Sequence, residues 1–151
     1  MALTDPVAAL CDVWRQRMPI TAALHVSVVT VSDSELRLGM PLAPNRNHKG
    51  TMFAGSLSAL ATLAGWSTLW LLMQEADPES HLVIQDATIR YLRPVRTDAT
   101  ARAVMPERAI RDKLLATYQR RGRARIPVEA TIHDTGNELV ASFRGRYVVH
   151  R

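Results

Sequence analysis

Residues 47–66 read NHKGTMFAGSLSALATLAGW. A polar loop with a glycine at position 50 runs directly into an apolar stretch, and from Leu57 to Met73 no side chain is charged. The length is near the short limit for crossing a bilayer. Ser58, Thr62, Gly65, Ser67 and Thr68 interrupt it, so a central helix buried on nearly all sides explains it better than a membrane span, and no membrane partner is expected. The pattern predicts this helix over about Phe53 to Glu75, broken by Asp77-Pro78. A helix start presents unpaired N–H groups and a partial positive charge. Those donors suit a carbonyl oxygen that is gaining negative charge.

Working outward, Asp5 to Met18 carries Val7, Leu10, Val13 and Trp14 at helical spacing, with Pro6 in the first turn and Pro19 at the end. A helix over about 5–18 follows. Leu24 to Val31 is rich in β-branched residues and predicts a strand. Ser32-Asp33-Ser34 is a turn, and Glu35 to Pro41 alternates with Leu36, Leu38 and Met40 on one face, which completes a hairpin. Beyond the long helix, strands are expected over Leu82–Leu92, Asp98–Met105, Gly122–His133 and Glu138–His150. Pro106 to Tyr118 fits either a helix or a bulged continuation of the sheet. One hydrophobic helix against one antiparallel sheet is an α+β layout, and 151 residues without repeats or linkers make one domain.

Composition narrows the function. Cys11 is the sole cysteine, so no disulfide framework or thiolate metal site exists; it is expected to be a buried, inert thiol. His25, His81, His133 and His150 lack metal-ligand spacing, so no metal is expected. No G-x-S-x-G elbow occurs, which argues against a serine hydrolase. MALTDPVAAL lacks the basic start of a signal peptide, so a cytoplasmic protein is expected. The net charge of +5 is uneven: residues 1–89 hold five basic and eight acidic side chains, residues 90–151 fourteen and six. The basic half has no interleaved aromatics, so nucleic acid is not an expected partner. It reads as a solvated face or as attraction for a phosphate-bearing ligand.

The order of elements and the run N-x-x-G-x-x-x-x-G, carried by Asn47, Gly50 and Gly55, resemble the hotdog-fold acyl-CoA thioesterases, in which a long helix is wrapped by an antiparallel β-sheet. Tyr91-Leu92-Arg93-Pro94 resembles the end of that fold's third strand. The chain looks most like the thioesterase-type domain fused behind a GNAT-type acetyltransferase domain in some bacterial proteins, here expected to stand alone. The resemblance covers roughly residues 20–150. It implies a homodimer or dimer of dimers with sites between subunits, and an acyl thioester substrate with coenzyme A as part of it and no other cofactor. It further implies that Asn47 orients the attacking water, that the Ala54 N–H receives the thioester oxygen, and that a carboxylate two turns into the helix activates the water.

The sequence departs from that pattern at the last position. Eight residues beyond Ala54 stands Thr62, and no Asp or Glu occurs between Asn47 and Gln74. The histidine common before the glycine pair is Phe53, and the first glycine is Ala54. General acid–base help is typically worth about 10²–10⁴ in rate. Candidates to replace it are few. Ala54, Ser58 and Thr62 share one helix face, either as a polar track for water or as hydroxyls bonded back to helix carbonyls. Asp86 lies within a strand, either as an arginine's ion-pair partner or as a displaced base. His48 is a loop histidine that could act on substrate. Gly55 lies in the motif; Arg93, Arg96 and Lys49 are candidates for coenzyme A phosphates, and Trp66 and Trp70 for an acyl pocket or for core packing. The reading is a thioesterase; the alternative is a module that binds an acyl-CoA or apolar ligand without turnover. A dehydratase would need a paired histidine and carboxylate that this chain lacks.

Overall fold

A computed structural model describes residues 3–151. Helix α1 spans Pro6–Arg17, and the Asp5 side chain caps it by accepting from the Ala8 N–H at 3.0 Å. Such a cap is worth about 1 kcal/mol. Pro19 ends α1 but starts a short helix, α2 (Ile20–Ala23), where the sequence suggested the approach to a strand. The first strand therefore begins later than expected. β1 is Ser27–Val31 and β2 is Glu35–Met40. His25, with φ +57, makes the corner between α2 and β1. Cys11 is only partly buried, not the fully enclosed thiol expected from the sequence.

The long helix α3 runs Ala54–Ala76. β3 is His81–Tyr91 and β4 is Ala99–Val104. The open choice after Pro106 resolves as a helix, α4 (Arg108–Arg121), closed by Gly122 in the left-handed conformation at φ +67. β5 (Arg123–Asp134) and β6 (Leu139–His150) complete the chain. The strands form one antiparallel sheet in the order β1-β2-β4-β5-β6-β3.

The sheet wraps α3. Leu36, Leu38 and Met40 of β2, Ile126, Val128 and Ile132 of β5, and Phe143 and Tyr147 of β6 form the buried inner face. β4 contributes Ala99, Ala101 and Ala103, whose small side chains let α3 lie close to the sheet. On α3 itself Leu57, Leu60, Ala61, Ala64, Thr68, Leu69 and Met73 are buried. This confirms α3 as the central helix, although its length and apolarity alone would suit a membrane.

Two contacts fix its position. The Tyr147 hydroxyl donates to the Thr62 carbonyl at 2.7 Å, and its ring lies against Gly65, where a Cβ would come within 2.4 Å of that hydroxyl. At the other end of α3, Tyr118 of α4 donates to the Asp77 carboxylate at 2.6 Å.

The outer face of the sheet carries charge. Glu35 pairs with Arg37 and Arg102, Glu129 with Arg144, and Asp86 with Arg146. Much of the arginine excess is therefore the solvated face that the sequence allowed for.

Candidate active site

The loop before α3 is built by asparagines. Asn47 Oδ1 accepts from the backbone N–H groups of Lys49 at 2.9 Å and Thr51 at 3.1 Å, and its Nδ2 donates to Thr51 Oγ1 at 2.8 Å. Its backbone N–H donates to the Thr51 carbonyl at 2.7 Å. Gly50, at φ +74, closes the turn. Asn47 thus staples the loop with both ends of its amide. One Nδ2 hydrogen is left over, since the group has two.

Asn45 was not singled out by the sequence reading, yet it ties the region together. It is 3% exposed, and its Nδ2 donates to the carbonyls of Leu24 and Pro41, each at 2.9 Å. Its own carbonyl accepts from the Phe53 N–H at 2.7 Å. One residue, through its side chain and its carbonyl, therefore joins the α2 corner, the end of β2 and the start of α3. No spacing pattern could reveal it, because its role depends on where the packed fold brings the Leu24 carbonyl, 21 residues away.

α3 starts at Ala54 with Phe53 as its cap residue. The first engaged N–H groups are those of Ser56 and Leu57, both donating to the Phe53 carbonyl. The N–H groups of Ala54 and Gly55 make no hydrogen bond among the described residues. They head a helix of 23 residues, so the partial positive charge there is well developed. The exposed Phe53 ring lies on Gly55, where a Cβ would come within 2.4 Å of it, so any larger residue there would push the ring aside. Tyr91, at the end of β3, donates to the Ala54 carbonyl at 3.1 Å and ties this helix start to the sheet.

A cavity of about 440 Å³ opens at this end of α3. One wall is the helix face of Gly55, Ser58, Ala59, Thr62, Leu63 and Trp66; the sheet adds Ile84 and Tyr147, and the α1–α2 corner adds Met18, Ile20, Thr21 and Leu24. The Ser58 and Thr62 side chains carry no hydrogen bond to protein among the described residues, whereas Thr68, deeper in the helix, does bond back to the Ala64 carbonyl at 2.9 Å. The two hydroxyls are thus left for a ligand or water. Trp66 is held in place by its Nε1–H, which donates to the Leu82 carbonyl at 3.0 Å, and by stacking on Trp70 with centroids 6.2 Å apart. Trp66 lines the cavity and Trp70 backs it.

The structure thus lines one cavity with Gly55, Ser58 and Thr62, with Ala54 at the helix start about two turns before Thr62 and Asn47 in the adjoining loop. It does not bring Asp86 to them. β3 bulges between Ile84 and Asp86, so Leu82 and Ile84 face α3 before the bulge and Ile89 and Tyr91 after it. Gln85 and Asp86 face outward, where Gln85 accepts from Arg125 at 3.0 Å and Asp86 accepts from Arg146 Nε at 2.9 Å. Asp86 is the ion-pair partner foreseen as one alternative, within the same chain. Arg93 is likewise engaged, by Glu138 at 3.1 Å. His48, Lys49 and Arg96 are exposed and make no ion pair among the described residues.

A larger cavity of about 790 Å³ lies at the opposite end of α3, against α4. Its rim mixes Asp33, Glu75 and Asp112 with Arg108 and Arg111, and none of the residues of the 47–62 stretch lines it.

Comparison with known proteins places the fold and the family. The chain aligns over 96% of its length with a Chlorobaculum tepidum protein of unknown function, covering 94% of that chain at 25% identity and a TM-score of 0.91. A putative thioesterase from Shewanella oneidensis matches at 30% identity and a TM-score of 0.86, over 99% of this chain and 100% of that one. A probable thioesterase from Pseudomonas aeruginosa matches at 25% identity and a TM-score of 0.83, over 99% and 97%. The family model described as putative thioesterase (yiiD C-terminal) matches residues 7–151. The chain belongs to this thioesterase family and has its hotdog fold.

Proposed function

We propose that the protein hydrolyses an acyl-CoA thioester at the start of α3. The observation that carries this reading is the apolar cavity of about 440 Å³ beside the two free N–H groups of Ala54 and Gly55. The thioester oxygen sits on those donors, which strengthen as it becomes an oxyanion. Water attacks the carbonyl carbon, the C–S bond breaks, and the products are a carboxylic acid and the free thiol. The thiolate is a good leaving group, since a thiol ionises near pH 8.5, and it takes up the proton that the water loses. Lys49 and His48 are exposed on the loop, and we assign to them contact with the phosphates of coenzyme A.

We assign the working state to a homodimer. β3 is a sheet edge of 11 residues, with hydrogen-bonding groups free on one side. Thr62 lies eight residues beyond Ala54, about 12 Å along the axis at 1.5 Å per residue. Its hydroxyl is too short to hold water against its own helix's donors. Antiparallel pairing of two β3 edges lays the two α3 helices side by side in opposite directions, so that each Thr62 serves the other subunit's site.

Free-thiol release from a panel of acyl-CoAs tests the reading. Turnover that Asn47→Ala abolishes supports it. The absence of any turnover would overturn it in favour of a second reading, a binding module, which one observation favours: no carboxylate lines the cavity. An acyl-CoA retained intact after long incubation would identify that module.

A further inference from the structure

We infer that the site accepts only uncharged, apolar acyl groups, and that the α1–α2 corner of Met18, Ile20 and Leu24 is the wall that measures their length. This inference rests on placing the acyl group in the 440 Å³ cavity. Among the residues that line this cavity none is charged. Two of its four hydroxyl groups are already committed: Thr21 donates to the Met18 carbonyl at 2.8 Å and Tyr147 to that of Thr62 at 2.7 Å. A carboxylate at the tip of a dicarboxylic acyl group would find no cation there, and burying it without a partner is costly.

The helix and sheet walls are fixed. Trp66 is pinned by its hydrogen bond to Leu82 and by Trp70, and Tyr147 is locked against Gly65. The corner wall differs. It is a four-residue helix between Pro19 and His25, tied to the loop before α3 by the hydrogen bond from Asn45 Nδ2 to the Leu24 carbonyl at 2.9 Å. Ile20, 60% exposed and outside the buried core, can be enlarged without repacking the sheet, whereas Met18 and Leu24 pack on the core. Each further methylene that fits inside should raise kcat/KM about fourfold until the wall is met, from about 0.8 kcal/mol per buried methylene.

The experiment measures kcat/KM for straight-chain acyl-CoAs of increasing length and for succinyl-CoA and glutaryl-CoA, on the wild type and on Ile20→Trp and Met18→Trp. Dissociation constants are measured in parallel for S-octyl-CoA and S-(3-carboxypropyl)-CoA, thioethers that cannot be hydrolysed. The expected result is a rise with chain length and then a plateau, rejection of both dicarboxylic substrates by at least a hundredfold, and a plateau at shorter chains in the variants. Comparable use of succinyl-CoA, or an unshifted plateau in variants with a wild-type melting temperature, would overturn the inference. If the wild type turns over nothing yet binds S-octyl-CoA and rejects its carboxylate counterpart, the hydrolase reading fails and the inference stands. If it binds both thioethers alike, the inference fails whatever the turnover.

Discussion

At the scale of single residues, the site rests on two asparagines with different duties. Asn45 is buried and spends its side-chain donors on two carbonyls that have no other role in catalysis. Asn45→Ala leaves both carbonyls without that donor and should cost about 1–3 kcal/mol, read as a lower midpoint in urea. Asn47 is half-buried, and its Oδ1 alone accepts two loop N–H groups. Asn47→Asp keeps those acceptors, replaces the Nδ2 donor by a carboxylate oxygen and adds a negative charge. If Nδ2 orients the attacking water, Asn47→Asp should fold with a near-normal melting temperature and lose most of kcat. Unchanged kcat would reduce Asn47 to a loop staple. Asp86 gives the opposite expectation. It faces solvent on the outer side of the sheet and holds Arg146. An exposed ion pair is worth about 0–1 kcal/mol, so Asp86→Asn should leave both turnover and the melting temperature close to wild type.

At the scale of elements, α3 carries the core, the oxyanion donors and the pocket wall together. Its register against β6 is set where Tyr147 meets Gly65. Gly65→Ala would place a Cβ within 2.4 Å of the Tyr147 hydroxyl and 2.8 Å of its ring carbon Cζ. Such overpacking should cost about 1–3 kcal/mol. Tyr147→Phe relieves the hydroxyl contact only, so a double-mutant cycle should show coupling between the two sites rather than additive losses. The helix itself was legible in the sequence, because a long uncharged apolar stretch that starts at a glycine loop and stops at Asp-Pro has few other solutions. The strands were legible from alternation to within a few residues, with β3 found one residue earlier at each end than expected. The α1–α2 corner was not. Pro19 does end α1, but the next residues are a short helix whose burial of Thr21 depends on Met18 and Asn45 rather than on any periodic pattern. The pocket wall that corner supplies was invisible for the same reason. Ser58 and Thr62 were legible as one helix face, but whether their hydroxyls turn inward to the helix or outward to a ligand depends on the space around them, which only the packed fold defines.

At the scale of the whole molecule, the two faces of the sheet respond to opposite ends of the pH range. On the inner side, burial pushes the Tyr147 phenol well above its ordinary range. Burial first, and then the neighbouring Asp77 carboxylate, raises that of Tyr118. A phenol whose pKa is higher in the folded than in the unfolded chain binds its proton more tightly when folded. It therefore contributes its stability fully below about pH 10, the unfolded value, and loses it as pH rises further. On the outer side, hydrogen bonds from Arg102 and then Arg37 hold the Glu35 carboxylate below its ordinary value of 4.5. Its contribution is present above that value and is lost as pH falls below it. The melting temperature should therefore be flat across the neutral range, fall above about pH 10, and fall again below about pH 4.5. The two limbs belong to different residues, so they can be separated by mutation. Tyr147→Phe should soften the alkaline limb, leaving the part that belongs to Tyr118, and leave the acid limb alone. Glu35→Gln should soften the acid limb and leave the alkaline one alone. A Tyr147→Phe variant that still loses stability above pH 10 as steeply as the wild type would mean that the buried phenol is not what sets the alkaline limit.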